Sequence, residues 1–126
     1  MKTARLRGCT AFTPSEFLSS EQAAPGRFDA MLVAHVLEHL PLAEARGLVG
    51  EYLGYLKPGG RVVLITPQEA GYRSDPSHVE FMDFAKLGGI LADCDLRPER
   101  SYSFPFPRPV GRIFPHNEFV VIGSKQ

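Results

Sequence analysis

The chain's four histidines and a few nearby carboxylates hold most of its chemical potential. His35, Glu38 and His39 follow directly on the apolar run at residues 28–34. Asp75 and His78 sit at i, i+3 in a polar loop at residues 67–78. A neutral imidazole can orient a substrate or take its proton near neutral pH, and a carboxylate can hold that imidazole in place. His35 is therefore the first candidate for a catalytic base, the alternative being that it only satisfies a backbone group at the strand end. Asp75 with His78 is a second candidate pair, the alternative being a solvated loop in which residues 75–77 form a turn. Glu38 is expected to cap backbone donors and His39 to be structural. Gln68, Tyr72, Arg73, Asp75 and His78 offer donors, acceptors and an aromatic wall, which suits a substrate-binding loop. Arg108 and Arg112 are candidates for an anionic group. Metal binding by Asp75, His78 and His116 is not expected, because their spacing matches no common ligand pattern.

These residues need elements to place them. Residues 28–35 are almost continuously apolar after Asp29, which fits a strand covered on both faces. From Leu42 the residues Ala45, Val49, Tyr52, Leu53 and Leu56 recur at helical steps and form one stripe. Gly47, Gly50 and Gly54 fall on the opposite side and weaken that helix. Lys57, Pro58, Gly59 and Gly60 should stop it, and residues 61–66, RVVLIT, should form the second strand. Strand, helix and parallel strand make one βαβ unit, whose chemistry sits at the carboxyl ends of the strands.

The flanks are simpler. Residues 9–12 read as a brief strand. Thr13, Pro14 and Glu16 form a helix start with a capping box, and the helix is expected to reach about Ser20. Asp83 reads as a helix cap, with Met82 and Leu87 as an apolar staple and Phe84, Leu87, Leu91 and Cys94 on one face. Residues 97–104 and 118–124 should pair as an antiparallel hairpin. The proline-rich residues 104–109 read as a rigid loop that packs Phe104 and Phe106, with a polyproline ligand as the alternative.

At 126 residues the chain is one domain, spanning residues 1–126, and its formal net charge of +0 gives no basic field for nucleic acid. No apolar run approaches the ~20 residues of a membrane span. No secretory signal is evident and the two cysteines lack metal spacing, so free thiols in a cytoplasmic setting are expected.

The phrases FDAMLVAHVLEHL, at residues 28–40, and LKPGGRVVLITP, at residues 56–67, resemble the class I S-adenosylmethionine-dependent methyltransferases. HVEFMDFAKLGGILADCDL and EFVVIGS resemble that family's last helix and closing strand. The resemblance implies an α/β, Rossmann-like three-layer sandwich. Its mostly parallel sheet would be closed by a C-terminal antiparallel hairpin. It further implies S-adenosylmethionine as cofactor, with Ala34, His35, Val36 and His39 at its binding edge, and a small-molecule methyl acceptor. The family's glycine-rich loop, E/D-x-G-x-G, and its ribose-binding acid have no counterpart here, so the N-terminal strands are expected to be missing. Residues 28–33 would then form an open apolar edge, prone to self-association. The alternative is a non-catalytic remnant that serves as a dimerisation or partner-binding module.

Overall fold

A computed structural model describes residues 10–126. Of the short strand expected at residues 9–12, Cys9 lies outside the described residues and 10–12 form no strand. Helix α1 (Pro14–Leu18) begins at the expected capping box: Glu16 N donates to Thr13 Oγ1 at 3.2 Å, and Thr13 N donates to Glu16 Oε1 at 2.9 Å. It stops two residues short of Ser20.

Strand β1 (Phe28–Ala34) leads through a single 3-10 turn (Leu37–His39) into helix α2 (Leu42–Tyr52). Strand β2 (Leu56–Pro67) then pairs parallel with β1. The helix ends, and the strand begins, before the KPGG sequence that was expected to separate them. Two tertiary contacts account for this. Phe28 pairs with Leu56 across an irregularity in the ladder, and Lys125 Nζ donates to the Leu53 and Leu56 carbonyls at 2.7 Å each. Gly59, at φ +82, absorbs the irregularity within the strand.

A one-turn helix α3 (Glu69–Arg73) follows β2. Asp83 caps helix α4 (Phe84–Asp93) by accepting from Lys86 N at 2.9 Å. Strands β3 (Leu96–Phe104) and β4 (Glu118–Lys125) pair antiparallel, as expected of the hairpin. The sheet order is β1-β2-β4-β3, with β4 inserted antiparallel between β2 and β3. Among the described residues the sheet is therefore mixed: β1, β2 and β3 run the same way and β4 runs opposite, so one adjacent pair is parallel and two are antiparallel. The β1–β2 link contains the long crossover that a parallel pair requires, and residues 68–95, with α3 and α4, cross over from β2 to β3, which runs the same way as β2 on the far side of β4. Among the described residues the sheet is open, and β1 is one of its edges.

Among the described residues, α2 and α4 lie on the same face and touch, where a three-layer sandwich would place long helices on both faces. Arg46 Nε meets Asp93 Oδ2 at 3.0 Å, and Cys94 Sγ contacts Arg46 O at 3.9 Å. Between these helices and the sheet lie Ala45, Val49, Val62, Leu64, Leu87, Ile90, Leu91 and Phe119, all essentially without solvent contact. Each large side chain buried here contributes about 1.5–3 kcal/mol. Cys94 is a free thiol, and burial pushes its pKa up. No described helix is long and apolar enough to cross a membrane.

Candidate functional site

Because β1 and β2 are parallel, their carboxyl ends lie side by side. His35 is the first residue beyond β1. It adopts φ +60, and its backbone N–H donates to Ile65 O at 3.0 Å. A non-glycine residue in this left-handed region carries local strain of about 1 kcal/mol. The turn separates consecutive side chains: His35 lines a polar cavity of about 380 Å³, and Val36 lines an apolar groove of about 310 Å³.

In the polar cavity, His35 Nε2 stands 2.7 Å from Glu118 Oε2, and the imidazole is 58% exposed. Glu118 heads β4, and the antiparallel register sets it opposite Pro67 at the end of β2. This partner was not evident in the sequence, since Glu118 lies in another strand far along the chain. An ion pair forms here whenever His35 is protonated. A neutral His35, still half in solvent, is placed to accept a proton from a molecule in the cavity.

His39, Asp75, His78, His116 and Glu38 complete the charged lining. His78 Nδ1 is 2.7 Å from Tyr72 O, and the Tyr72 ring stacks on His78 at 5.3 Å between centroids. Asp75 Oδ1 accepts from Ser77 N at 2.9 Å and from Ser77 Oγ at 2.7 Å, and these bonds hold its carboxyl below the usual range. Its other oxygen, Oδ2, lies 3.9 Å from His78 Nε2, so the expected pair is adjacent but not hydrogen-bonded.

Glu38 departs from its expected role. Its side chain caps no helix, although its backbone carbonyl accepts from Val79 N at 2.7 Å and Glu80 N at 3.1 Å. The carboxylate is buried and faces His39 and His78. Gln68 is fully buried and does not line the cavity. Its Nε2 donates to Ser103 Oγ at 2.8 Å and Glu118 O at 3.1 Å, and its Oε1 accepts from Asn117 Nδ2 at 3.0 Å. It is the hub that ties the end of β2 to the start of β4. Gly111 lies so close to this amide that a Cβ there would overlap it.

Arg73 and Arg108 are also engaged. Arg73 Nη2 donates to Arg112 O at 3.0 Å. Arg108 grips Glu69 through two bonds of 2.8 Å and covers the Phe119 ring at 4.6 Å. Its guanidinium draws the Glu69 carboxyl down to about 2. In the proline-rich loop, Phe106 packs edge-on against Phe114 at 5.4 Å, while Phe104 remains more than half exposed.

Phe17, Phe28, Leu32, Val36, Tyr52 and Tyr55 line the apolar groove along the outer edge of β1. Leu32 is 64% exposed. Ala34 is half-buried within the β1–β2 ladder. The four residues expected at the cofactor edge are therefore divided: His35 and His39 face the polar cavity, Val36 faces the groove, and Ala34 is held in the sheet.

No family model matches the sequence, and no curated protein matches it. Solved structures do match the fold. A SAM-dependent methyltransferase from Archaeoglobus fulgidus superposes with a TM-score of 0.65 at 14% identity, covering 98% of this chain and 80% of that one. The N-methyltransferase NodS from Bradyrhizobium japonicum, in complex with S-adenosylhomocysteine, gives 0.63 at 18% identity over 96% and 58%. A 1,6-didemethyltoxoflavin-N1-methyltransferase from Burkholderia thailandensis, bound to 1,6-didemethyltoxoflavin and S-adenosylhomocysteine, gives 0.61 at 20% identity over 84% and 47%. The chain thus has the fold of the SAM-dependent methyltransferases, and it spans only about half the length of the last two.

Proposed function

We propose that this chain supplies the acceptor side of an S-adenosylmethionine-dependent methyltransferase acting on a small molecule. The reading is carried by one observation: in a fold shared with such enzymes, a polar cavity with a half-exposed imidazole lies at the carboxyl ends of the parallel strands. His35, steadied by Glu118, would take the acceptor's proton. Tyr72, Asp75 and His78 would shape the pocket, while Gln68 and Arg73 would hold its walls.

The described residues do not fit the whole cofactor. The groove beside β1 is almost wholly aromatic and aliphatic, with no carboxylate to hold ribose hydroxyls. The sequence also lacks the glycine-rich loop. The cofactor S-adenosylmethionine therefore requires residues from outside this surface. The open β1 edge is where a second copy, or another chain, would add them by strand pairing. The apolar groove equally favours a second reading, a non-catalytic module that pairs through β1.

Calorimetric titration of S-adenosylhomocysteine into the purified chain, with folding checked by circular dichroism, separates the two. Micromolar binding, present only at concentrations where the chain associates, is the expected result. A folded chain that binds nothing at any concentration leaves the pairing module. A strictly monomeric chain in sedimentation would overturn both versions of the self-association.

A further inference from the structure

We infer that Glu38, His39 and His78 form a binding site for a divalent transition-metal ion, with zinc the best match to the donor set. The three ligand atoms lie within 4.8 Å of one another. Each histidine Nε2 is 3.9 Å from the same oxygen, Glu38 Oε2. That distance is too long for a hydrogen bond.

The tautomers sharpen the case. His78 Nδ1 sits 2.7 Å from the Tyr72 carbonyl, which can only accept, so Nδ1 carries the proton. His39 Nδ1 lies 3.2 Å from Ser77 O and also 3.2 Å from Ser77 Oγ. The Ser77 hydroxyl proton is already committed to Asp75 Oδ1 at 2.7 Å, so both Ser77 oxygens accept from His39. In their neutral forms, both imidazoles therefore turn a bare Nε2 lone pair toward a carboxylate.

Three electron-rich groups facing one another, with the Glu38 side chain 2% exposed, call for a cation between them. Glu38 Oε1 adds a second, independent sign: it is buried without a hydrogen-bond partner among the described residues. Nδ1–H donated to a backbone carbonyl, with Nε2 left for the ion, is also how ligating histidines are commonly oriented. Two imidazoles and one carboxylate are a donor set for zinc that leaves a fourth position open. Donors about 2.0–2.2 Å from a tetrahedral ion stand about 3.3 Å apart, so the side chains must draw together by about 1 Å on binding. The open position would face the cavity, where Asp75 Oδ2 is 3.9 Å from His78 Nε2.

The proposal stands on the geometry of these three side chains alone and is tested without S-adenosylmethionine. The full chain, stripped with chelator, is titrated with Zn²⁺ by calorimetry and with Co²⁺ by visible absorption. The expected result is one ion per chain with low-micromolar or tighter affinity, and Co²⁺ bands of four-coordinate intensity. His39→Gln, at a partly exposed position, and His78→Gln should each weaken binding at least tenfold. His116→Ala, in the same cavity but outside the cluster, should bind unchanged. A folded wild-type chain that takes up neither ion overturns the proposal. So does binding that survives both histidine variants. A cluster held together by protons alone would appear as the first of these outcomes.

Discussion

Two hollows meet at the end of β1, and adjacent residues open into each. On one side, His35 looks into a cavity with four histidines and three carboxylates around it. On the other, Val36 looks into a groove built of rings and aliphatic chains. The polar hollow is assembled by long-range hydrogen bonds from Gln68 to Glu118 and Ser103 and from His39 to Ser77, with a local bond from His78 to Tyr72. Among the described residues the apolar hollow has no such framework, and along it the outer edge of β1 pairs with no described strand. Under the proposed function, the first would hold something small and polar and the second would be covered by a larger partner. A fold can thus keep a formed site beside a surface that needs completing, because hydrogen-bond networks close locally whereas a sheet edge closes only by pairing.

The comparison breaks most severely at Gln68. Gln68→Ala removes the amide that joins both walls of the polar cavity and strands buried partners, so it should cost about 3 kcal/mol in urea unfolding. It should leave association through the groove intact wherever the chain remains folded. Leu32→Asp addresses the other hollow. If β1 pairs with a second copy, a charge at this exposed position should weaken association about 100-fold in sedimentation while changing monomer stability little. An unchanged association constant would move the interface elsewhere.

His35 joins the two hollows and gives a subtler contrast. His35→Val should lose about 1–2 kcal/mol, because a β-branched residue resists φ +60. His35→Asn tolerates that conformation and should stay near wild-type stability while losing the candidate base. Equal stability of the two variants would show that the turn is not strained.

The smallest effect is at the Arg108–Glu69 pair, which lines neither hollow. Arg108→Gln should cost about 1 kcal/mol at neutral pH, the pair being partly exposed. Glu69 is depressed from 4.5 to about 2 in the folded chain, so the contribution is full above pH 4.5 and fades as the pH falls toward 2. The difference between wild type and variant in acid unfolding should shrink across that window.

Local sequence specified the parts that depend on local physics. The capping box at Thr13, the Asp83 cap, the apolar run of β1 and the stripe on α2 all formed where near-neighbour preferences placed them. The βαβ order followed from those elements, so the gathering of His35, His39, Asp75 and His78 at one end of the sheet was legible in advance. Tertiary structure decided which groups face each other. Glu118 reaches His35 only because β4 inserts beside β2, and the buried face of Glu38 exists only because the loop carrying Ser77 and His78 folds over it. Gln68 reads as a polar loop residue but is a buried tie, since its partners at residues 103, 117 and 118 come from the hairpin. The early start of β2 has the same origin, because Phe28 and Lys125 engage Leu56 from opposite ends of the chain. Pairing across strands is set by register and burial over the whole sheet, and short-range spacing carries no record of it.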